Sequence, residues 1–265
     1  MALPSSKPLV LVTNDDGIQS VLLRILVDVL AEEFNVCVAA PLSEQSWIGR
    51  AMTRRGKIQV ESRQDWAGPA WAIQGTPTDC VNIALGHLLC ETPQLVISGI
   101  NLGYNTTLPL IYSSGTVAGA LEGSVWGIPS IAVSQAMKAG NFADAGSGEP
   151  GPELKRTIES SARHTLDFSL KLLREPYKAL DSSLIVHNLN FPDPCSDTTG
   201  WKRTVPSGWK PEDSGFYQPC ENPNQFEFQY QRGKVTSNTS VTDRETIESG
   251  EVSWSVLNFS QIGEL

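Results

Sequence analysis

The sequence predicts an α/β fold in which a mostly parallel β-sheet is covered by helices on both faces. Short, near-continuous apolar runs such as Pro8–Thr13, Asn35–Ala40 and Gln94–Ser98 alternate with segments of helical periodicity. That is the pattern of strands buried on both faces and joined by crossover helices. Polar residues gather immediately after those runs, at what the alternation makes the carboxyl ends of the strands. Beyond Pro192 the alternation stops, and Pro206, Pro211, Pro219 and Pro223 punctuate short β-prone runs such as Phe226–Tyr230. These observations predict a single domain over 1–265, with a core over about 1–192 and a β-rich extension over about 193–265.

The elements follow in order. Pro8–Thr13 (PLVLVT) reads as the first strand and ends in Asn14-Asp15-Asp16-Gly17. Ser20 caps a helix, VLLRILVDVLAEE, whose apolar residues recur at helical spacing. Asn35–Ala40 is a second strand, stopped by Pro41, and Ile58–Glu61 and Ala70–Gln74 are further strands. Thr76 and Pro77 supply an N-cap and an N1 proline for a helix through Leu89. Thr76 and Asp79 have the spacing of a capping box. Gln94–Ser98 is a strand, Gly115–Trp126 a helix and Ser130–Ser134 a strand. Ala139–Gly151 is a loop rich in Gly, Asp and Ser, Glu153–Leu173 a helix, and Ser183–Asn188 a strand.

Composition excludes several functions. Hydrophobic residues at 40% and charged residues at 18% describe a globular chain. A net charge of -9 argues against a nucleic-acid or membrane-surface binder, which needs basic patches. An anionic small substrate stays open, because a bound cation reverses the local field. The 5 cysteines are scattered with no CxxC pair, which points to a reducing compartment rather than a disulfide scaffold. Met1–Lys7 lacks the apolar run of a signal peptide, and no stretch reaches the roughly 20 apolar residues that span a bilayer. A cytoplasmic protein is expected.

In a parallel sheet, ligands bind beyond the carboxyl ends of the strands. Four polar loops fall there: the Asn14–Gly17 loop, Pro41–Ser46, Gly75–Asp79 and Gly99–Asn101. The adjacent carboxylates of Asp15 and Asp16 offer hard oxygens suited to Mg²⁺ or Mn²⁺, and they also fit a plain turn before a helix. Ser46 and Asn101 are candidate neutral ligands, though each equally suits a cap or turn. Ser113-Ser114-Gly115-Thr116 opens a small-residue helix whose free N–H groups suit a phosphate. There is no GxGxxG, P-loop or GxSxG motif, and His87, His164 and His187 fall within or beside regular elements, where they read as structural.

With these loops in order, the chain resembles the SurE family of survival-protein nucleotidases. The matching pieces are VTNDDG, AAPLSEQS, GTPTDCVNIAL, ISGINLGYN, YSSGTVAGALEG, GIPSIAVS, HNLNFP and TDRETIESGEVS. The resemblance implies a Rossmann-like core with a C-terminal extension that takes part in a homodimer or homotetramer. It implies metal-dependent hydrolysis of nucleoside monophosphates, 5′ and 3′, with polyphosphate as a side substrate. It assigns Asp15, Asp16, Ser46 and Asn101 to one divalent metal ion. Catalysis falls to Asp15 and Asp16, and phosphate binding to Asn14, Ser114, Gly115 and Thr116.

The chain departs from the family pattern at three places. Trp47 stands where glycine is usual, Thr106–Leu110 replaces acidic residues, and an extra serine lets Ser113 and Ser114 both fit the motif. Trp47 brings an aromatic face to the mouth of the site, a candidate for base stacking. Two other readings compete: a Rossmann-like phosphatase with an aspartyl nucleophile, which normally needs Asp-x-Asp after the first strand, and a non-catalytic nucleotide-binding protein.

Overall fold

The computed structural model describes residues 7–138, 140–141, 150–175, 184–211, 215–222, 224–230, 233–236 and 241–261. Most of the loop expected over 139–151, and Ser183 at the start of an expected strand, lie outside them.

The first strand, β1 (Leu9–Thr13), lies inside a 9-stranded sheet. With β2 (Asn35–Pro41), β3 (Val60–Arg63), β4 (Ala70–Ile73), β5 (Leu95–Leu102), β6 (Ser130–Gln135), β7 (Ile185–Phe191), β8 (Trp201–Thr204) and β13 (Val252–Asn258), the order is β3-β4-β2-β1-β5-β6-β7-β13-β8. Strands β4, β2, β1, β5, β6 and β7 run parallel to their neighbours in that series, and β3 and β13 join antiparallel at its two ends. The chain reverses direction of travel on either side of β1, so the β1/β5 crevice is the switch point at which such sheets hold ligands.

Residues of β1 alternate between two layers. Val10 and Val12 pack with α1 (Val21–Leu30) and with α5 (Pro152–Arg174), whose Leu154, Ile158 and Ala162 reach the same core. Leu11 faces the other layer, with Cys80 and Val81 of α2 (Pro77–Ile83). Helix α4 (Gly115–Val125) shares that side and lies against α2. It comes close because Gly115, Gly119 and Gly123 form a stripe of one residue every helical turn. A Cβ at Gly119 would stand 2.9 Å from Ser98 Oγ, and one at Gly123 would stand 2.7 Å from Val96 Cβ. Any larger residue would lift the helix, and with it the N-terminus that reaches Asp15.

Several boundaries moved. The Ser20 hydroxyl accepts from Leu23 N–H as expected, but α1 stops at Leu30. The helix expected through Leu89 is α-helical only to Ile83 and continues as one wider π-turn over Ala84–Leu88. The capping box formed: Thr76 Oγ1 accepts from Asp79 N–H, and Asp79 Oδ2 accepts from Thr76 N–H. Strand β3 lies two residues later than the reading at Ile58–Glu61, because its register is set by antiparallel pairing with β4. A short helix not foreseen, α3 (Leu108–Ser113), carries Pro109 in its first turn.

The residues after Pro192 divide between two roles. β8 and β13 extend the main sheet, with α6 (Asp243–Glu248) between them in sequence. β9 (Gly208–Lys210) pairs β12 (Lys234–Thr236), and β10 (Tyr217–Pro219) pairs β11 (Phe226–Phe228), as small antiparallel ribbons. Among the described residues no helix is long and apolar enough to cross a membrane.

Candidate active site

At the carboxyl end of β1 the chain turns sharply through Asn14-Asp15-Asp16-Gly17. Asn14 makes the turn. Its amide donates to Gly17 O at 2.9 Å and its Oδ1 accepts from Gly17 N–H at 3.2 Å, all fully buried. Asn14, proposed from sequence for phosphate, therefore spends both polar ends of its side chain within the turn and does not line the cleft.

Asp15 is 3% exposed and sits where three loops meet. Its Oδ1 accepts from Thr116 Oγ1 at 2.5 Å. Its backbone carbonyl accepts from Gln45 N–H at 2.7 Å, which ties the loop after β2 to the turn. Gly115 lies so near that a Cβ there would stand 2.7 Å from Asp15 Cβ. Asp16 is partly covered, and its Oδ2 accepts from Leu102 N–H at 3.0 Å, which ties in the end of β5. The pair thus stitches together the loops that carry Ser46, Asn101 and Ser114.

Asn101 reaches the rim because β5 is irregular. Its pairing with β6 shifts register between Ser98 and Asn101. Gly99 there has φ 142°, and a Cβ would stand 2.3 Å from Val133 O, so only glycine fits. The Asn101 amide N–H donates to Gly103 O at 3.1 Å, which turns its amide oxygen the other way. Ser46 is exposed, its hydroxyl donating to Glu44 Oε1 at 2.6 Å.

The two candidate serines now separate. Ser113 donates its hydroxyl back to Pro109 O and Leu110 O. Ser114 is the N-cap of α4: its Oγ accepts from Val117 N–H at 3.0 Å and leaves its own hydroxyl proton free to donate. Asp15, Ser46, Asn101 and Ser114 line one cleft of about 450 Å³, within the range typical of small-molecule sites. Asp16 and Thr116 stand behind them.

Electrostatics single out the carboxylates. Burial pushes Asp15 up to about 6, against the lowering effect of the Thr116 hydrogen bonds. Burial, then the neighbouring Asp15 charge, pushes Asp16 well above the usual carboxylate range. Glu44 adds repulsion to both. Among the described residues neither forms an ion pair with Lys, Arg or His. Two adjacent buried carboxylates without a cation are costly, and a hard divalent ion removes that cost. Among the described residues no cluster of three or more His, Cys, Asp or Glu offers a rival metal site. The donor set here is two carboxylates with neutral oxygens, which suits Mg²⁺ or Mn²⁺ better than a softer ion.

Two of the three histidines are held by packing contacts away from the site. His187 is buried beside Trp254, and burial pushes it down to about 4, so it is neutral. His164 bonds Ser196 O and Trp201. None of the three lines the cleft.

The family model described as Survival protein SurE matches residues 10–212. The chain belongs to the SurE family. A relative from Pseudothermotoga lettingae, named 5′-nucleotidase SurE, is 39% identical over 88% of this chain and 82% of that protein. Another of the same name from Maridesulfovibrio salexigens is 32% identical over 94% of this chain and 92% of that protein. The crystal structure of SurE protein from Aquifex aeolicus superposes with a TM-score of 0.70 at 26% identity, covering 95% of this chain and 93% of that one. The SurE fold accounts for both the mostly parallel sheet and the added C-terminal strands.

Sequence reasoning missed part of the cleft. Tyr104, Tyr230 and Met137 also line it. Tyr104 follows Asn101 closely, in a motif already matched, but no local signal turns its ring inward. Tyr230 comes from the tail, and nothing near it in sequence points to the site. Also unforeseen was Asp243, whose carboxylate accepts from Thr107 N–H and from both Ser207 N–H and Ser207 Oγ. It pins the loop that carries Tyr104, including Thr107 at φ 67°.

Proposed function

We propose that this chain is a divalent-metal-dependent phosphomonoesterase that hydrolyses nucleoside monophosphates. The observation that carries the reading is the Asp15–Asp16 pair, set at the switch point of the sheet beside the N-terminus of α4 and, among the described residues, without a cationic partner. Asp15, Asp16, Asn101 and Ser46 would hold one Mg²⁺ or Mn²⁺. Such an ion supplies charge neutralisation on the phosphoryl oxygens and a more acidic bound water.

The chain's own residues do the rest. Thr116 fixes Asp15 through its hydroxyl, so the carboxylate cannot rotate out of the cleft. Ser114 and the free N–H groups at the start of α4 receive phosphate oxygens, with the helix dipole favouring negative charge there. Asp15 is the carboxylate of the pair that lines the cleft, so it is the one placed to accept the proton of the attacking water. Phosphoryl transfer asks mainly for positioning and electrostatics, and the stitched loops supply both.

Phosphate release from AMP in the presence of Mn²⁺, lost on chelation, is the expected result. No release with any divalent ion, or trapping of an aspartyl-phosphate on Asp15 or Asp16, contradicts it.

We further propose a homodimer or homotetramer joined through the residues after Pro192. Tyr217 and Phe226, on the β10–β11 ribbon, are 60% and 63% exposed, and a two-stranded ribbon is a weak unit alone. A reducing, cytoplasmic setting suits its 5 free cysteines. Light scattering at micromolar concentration is expected to give a dimer or larger; a monomer contradicts the assembly.

A further inference from the structure

The same cleft has a second wall that the phosphate chemistry does not use. Its floor carries Asp15, Asn101 and Ser114, and its wall carries the rings of Trp47, Tyr104 and Tyr230. We infer that this wall is a nucleobase subsite in which the base of the substrate stacks on the Trp47 indole, with purines held more tightly than pyrimidines. The inference rests on the nucleotidase reading and names where the non-reacting end of the substrate binds.

The rings are arranged to be used from one side. The Trp47 ring centroid lies 4.9 Å from that of Phe228 and 5.3 Å from that of Phe216, with the planes inclined at 60° and 64°, and Tyr230 is tilted at 6.2 Å. Trp47 is braced by these rings, yet it remains 42% exposed. Tyr230 is 44% exposed and its hydroxyl meets that of Tyr104 at 2.6 Å. The Arg244 guanidinium, its side chain only 5% exposed, lies 3.8 Å over the ring of Tyr104. It covers one face of that ring, and the rest of the ring lines the cleft.

The backbone adds a second observation. Trp47 has φ 60°, the left-handed region that a large side chain rarely adopts. Strain of this kind persists where the surroundings hold it, and it gathers at functional sites. Here the surroundings are the aromatic brace itself. Trp47 follows Ser46 directly, so the residue offered to the metal and the residue offered to the base are neighbours. A base has two π-faces and stacks on an aromatic side chain whatever its sequence edges, and a purine presents the larger area.

The test compares AMP with ribose 5-phosphate, which keeps the phosphate and sugar and lacks the base. With the full chain and Mn²⁺, kcat/KM is expected to favour AMP by about tenfold or more, the scale of one base stack. KM should rise from AMP and GMP to CMP and UMP. Trp47→Leu is expected to cut the AMP to ribose 5-phosphate ratio by about tenfold, and Trp47→Phe by much less. AMP should also quench tryptophan emission in the wild type more than in Trp47→Phe, which settles the matter if the leucine variant does not fold. A wild-type ratio near one, or equal quenching in both proteins, overturns the subsite. Failure to release phosphate from either substrate overturns the nucleotidase reading instead.

Discussion

At the floor of the cleft Asp15 is 3% exposed and held by hydrogen bonds of 2.5 and 2.7 Å; at the wall Trp47 and Tyr230 are 42% and 44% exposed and held mainly by ring contacts. The floor is made by loops that leave adjacent parallel strands, so each residue's place is fixed by the sheet. The wall is assembled from Trp47, Tyr104 and Tyr230, which come from three distant parts of the chain. The floor tolerates almost no change, because its charges are buried and its glycines touch backbone or carboxylate. The wall residues are partly exposed and touch mainly other rings, so a conservative aromatic exchange there disturbs little else. If the floor holds the metal and phosphate and the wall holds the base, as proposed, chemistry and selectivity are separately adjustable in this cleft.

The comparison breaks most easily at the floor. Thr116→Val removes the hydroxyl that holds Asp15 Oδ1 while keeping the side-chain shape. A fall in kcat of about 10²-fold with AMP is expected, on the scale of a lost charge-assisted hydrogen bond together with a misplaced carboxylate. Unchanged kcat contradicts the assigned role of Thr116.

A smaller effect is expected one layer out. Glu122 is buried on α4 and binds Arg50 at 2.5 Å, Asn82 at 2.8 Å and Trp126 at 3.2 Å. Arg50 closes the loop that carries Ser46 and Trp47. Glu122→Gln keeps the packing and weakens that anchor, so KM for AMP should rise several-fold while kcat changes little. The melting temperature should fall by a few degrees at most, since the Glu122 carboxylate is buried but its Arg50 partner is exposed, and weakening such a pair costs about 1 kcal/mol. A fall in kcat larger than the rise in KM would mean that the loop does more than position.

The smallest effect belongs to the wall's outer face. Phe226→Ser, at a residue 63% exposed, should leave the unfolding free energy of a monomer within about 0.5 kcal/mol of wild type. If the ribbon joins subunits, the variant instead shifts light scattering toward smaller species. A variant that still assembles as the wild type does removes β11 from the interface.

How much of this was readable from sequence follows the same division. β1, β2, β5, β6 and α4 were found because apolar runs and caps are local signals, and their order placed Asp15, Asp16, Ser46, Asn101 and Ser114 on one rim. Other places needed the structure. Asn14, assigned to phosphate with the resemblance, closes its own turn, and Ser113 could not be separated from Ser114 until α3 showed where its hydroxyl bonds. Tyr104, Tyr230 and Asp243 were not readable, because their places depend on tail residues packing over the first half of the chain. The antiparallel entry of β13 beside β7 was hidden for the same reason.

The central claim is that Asp15 and Asp16 form a cation site, and its most direct measurement is a thermal melt with and without Mn²⁺. The folded-state carboxylates are raised above their unfolded value, so without metal their protonated forms are favoured by folding. For Asp15 that stability is therefore present at low pH and is lost as pH rises from about 4 through about 6, and for Asp16, raised well above the usual range, it is likewise lost as pH rises. Bound metal reverses the trend, because it requires the ionised pair and binds only the folded state. Wild type at pH 7 should thus gain several degrees with Mn²⁺ and much less at pH 5. Asp16→Asn should lose most of that gain, melt at least as high as wild type without metal, and retain almost no activity toward AMP. A variant that keeps the full Mn²⁺ response and full activity contradicts the account.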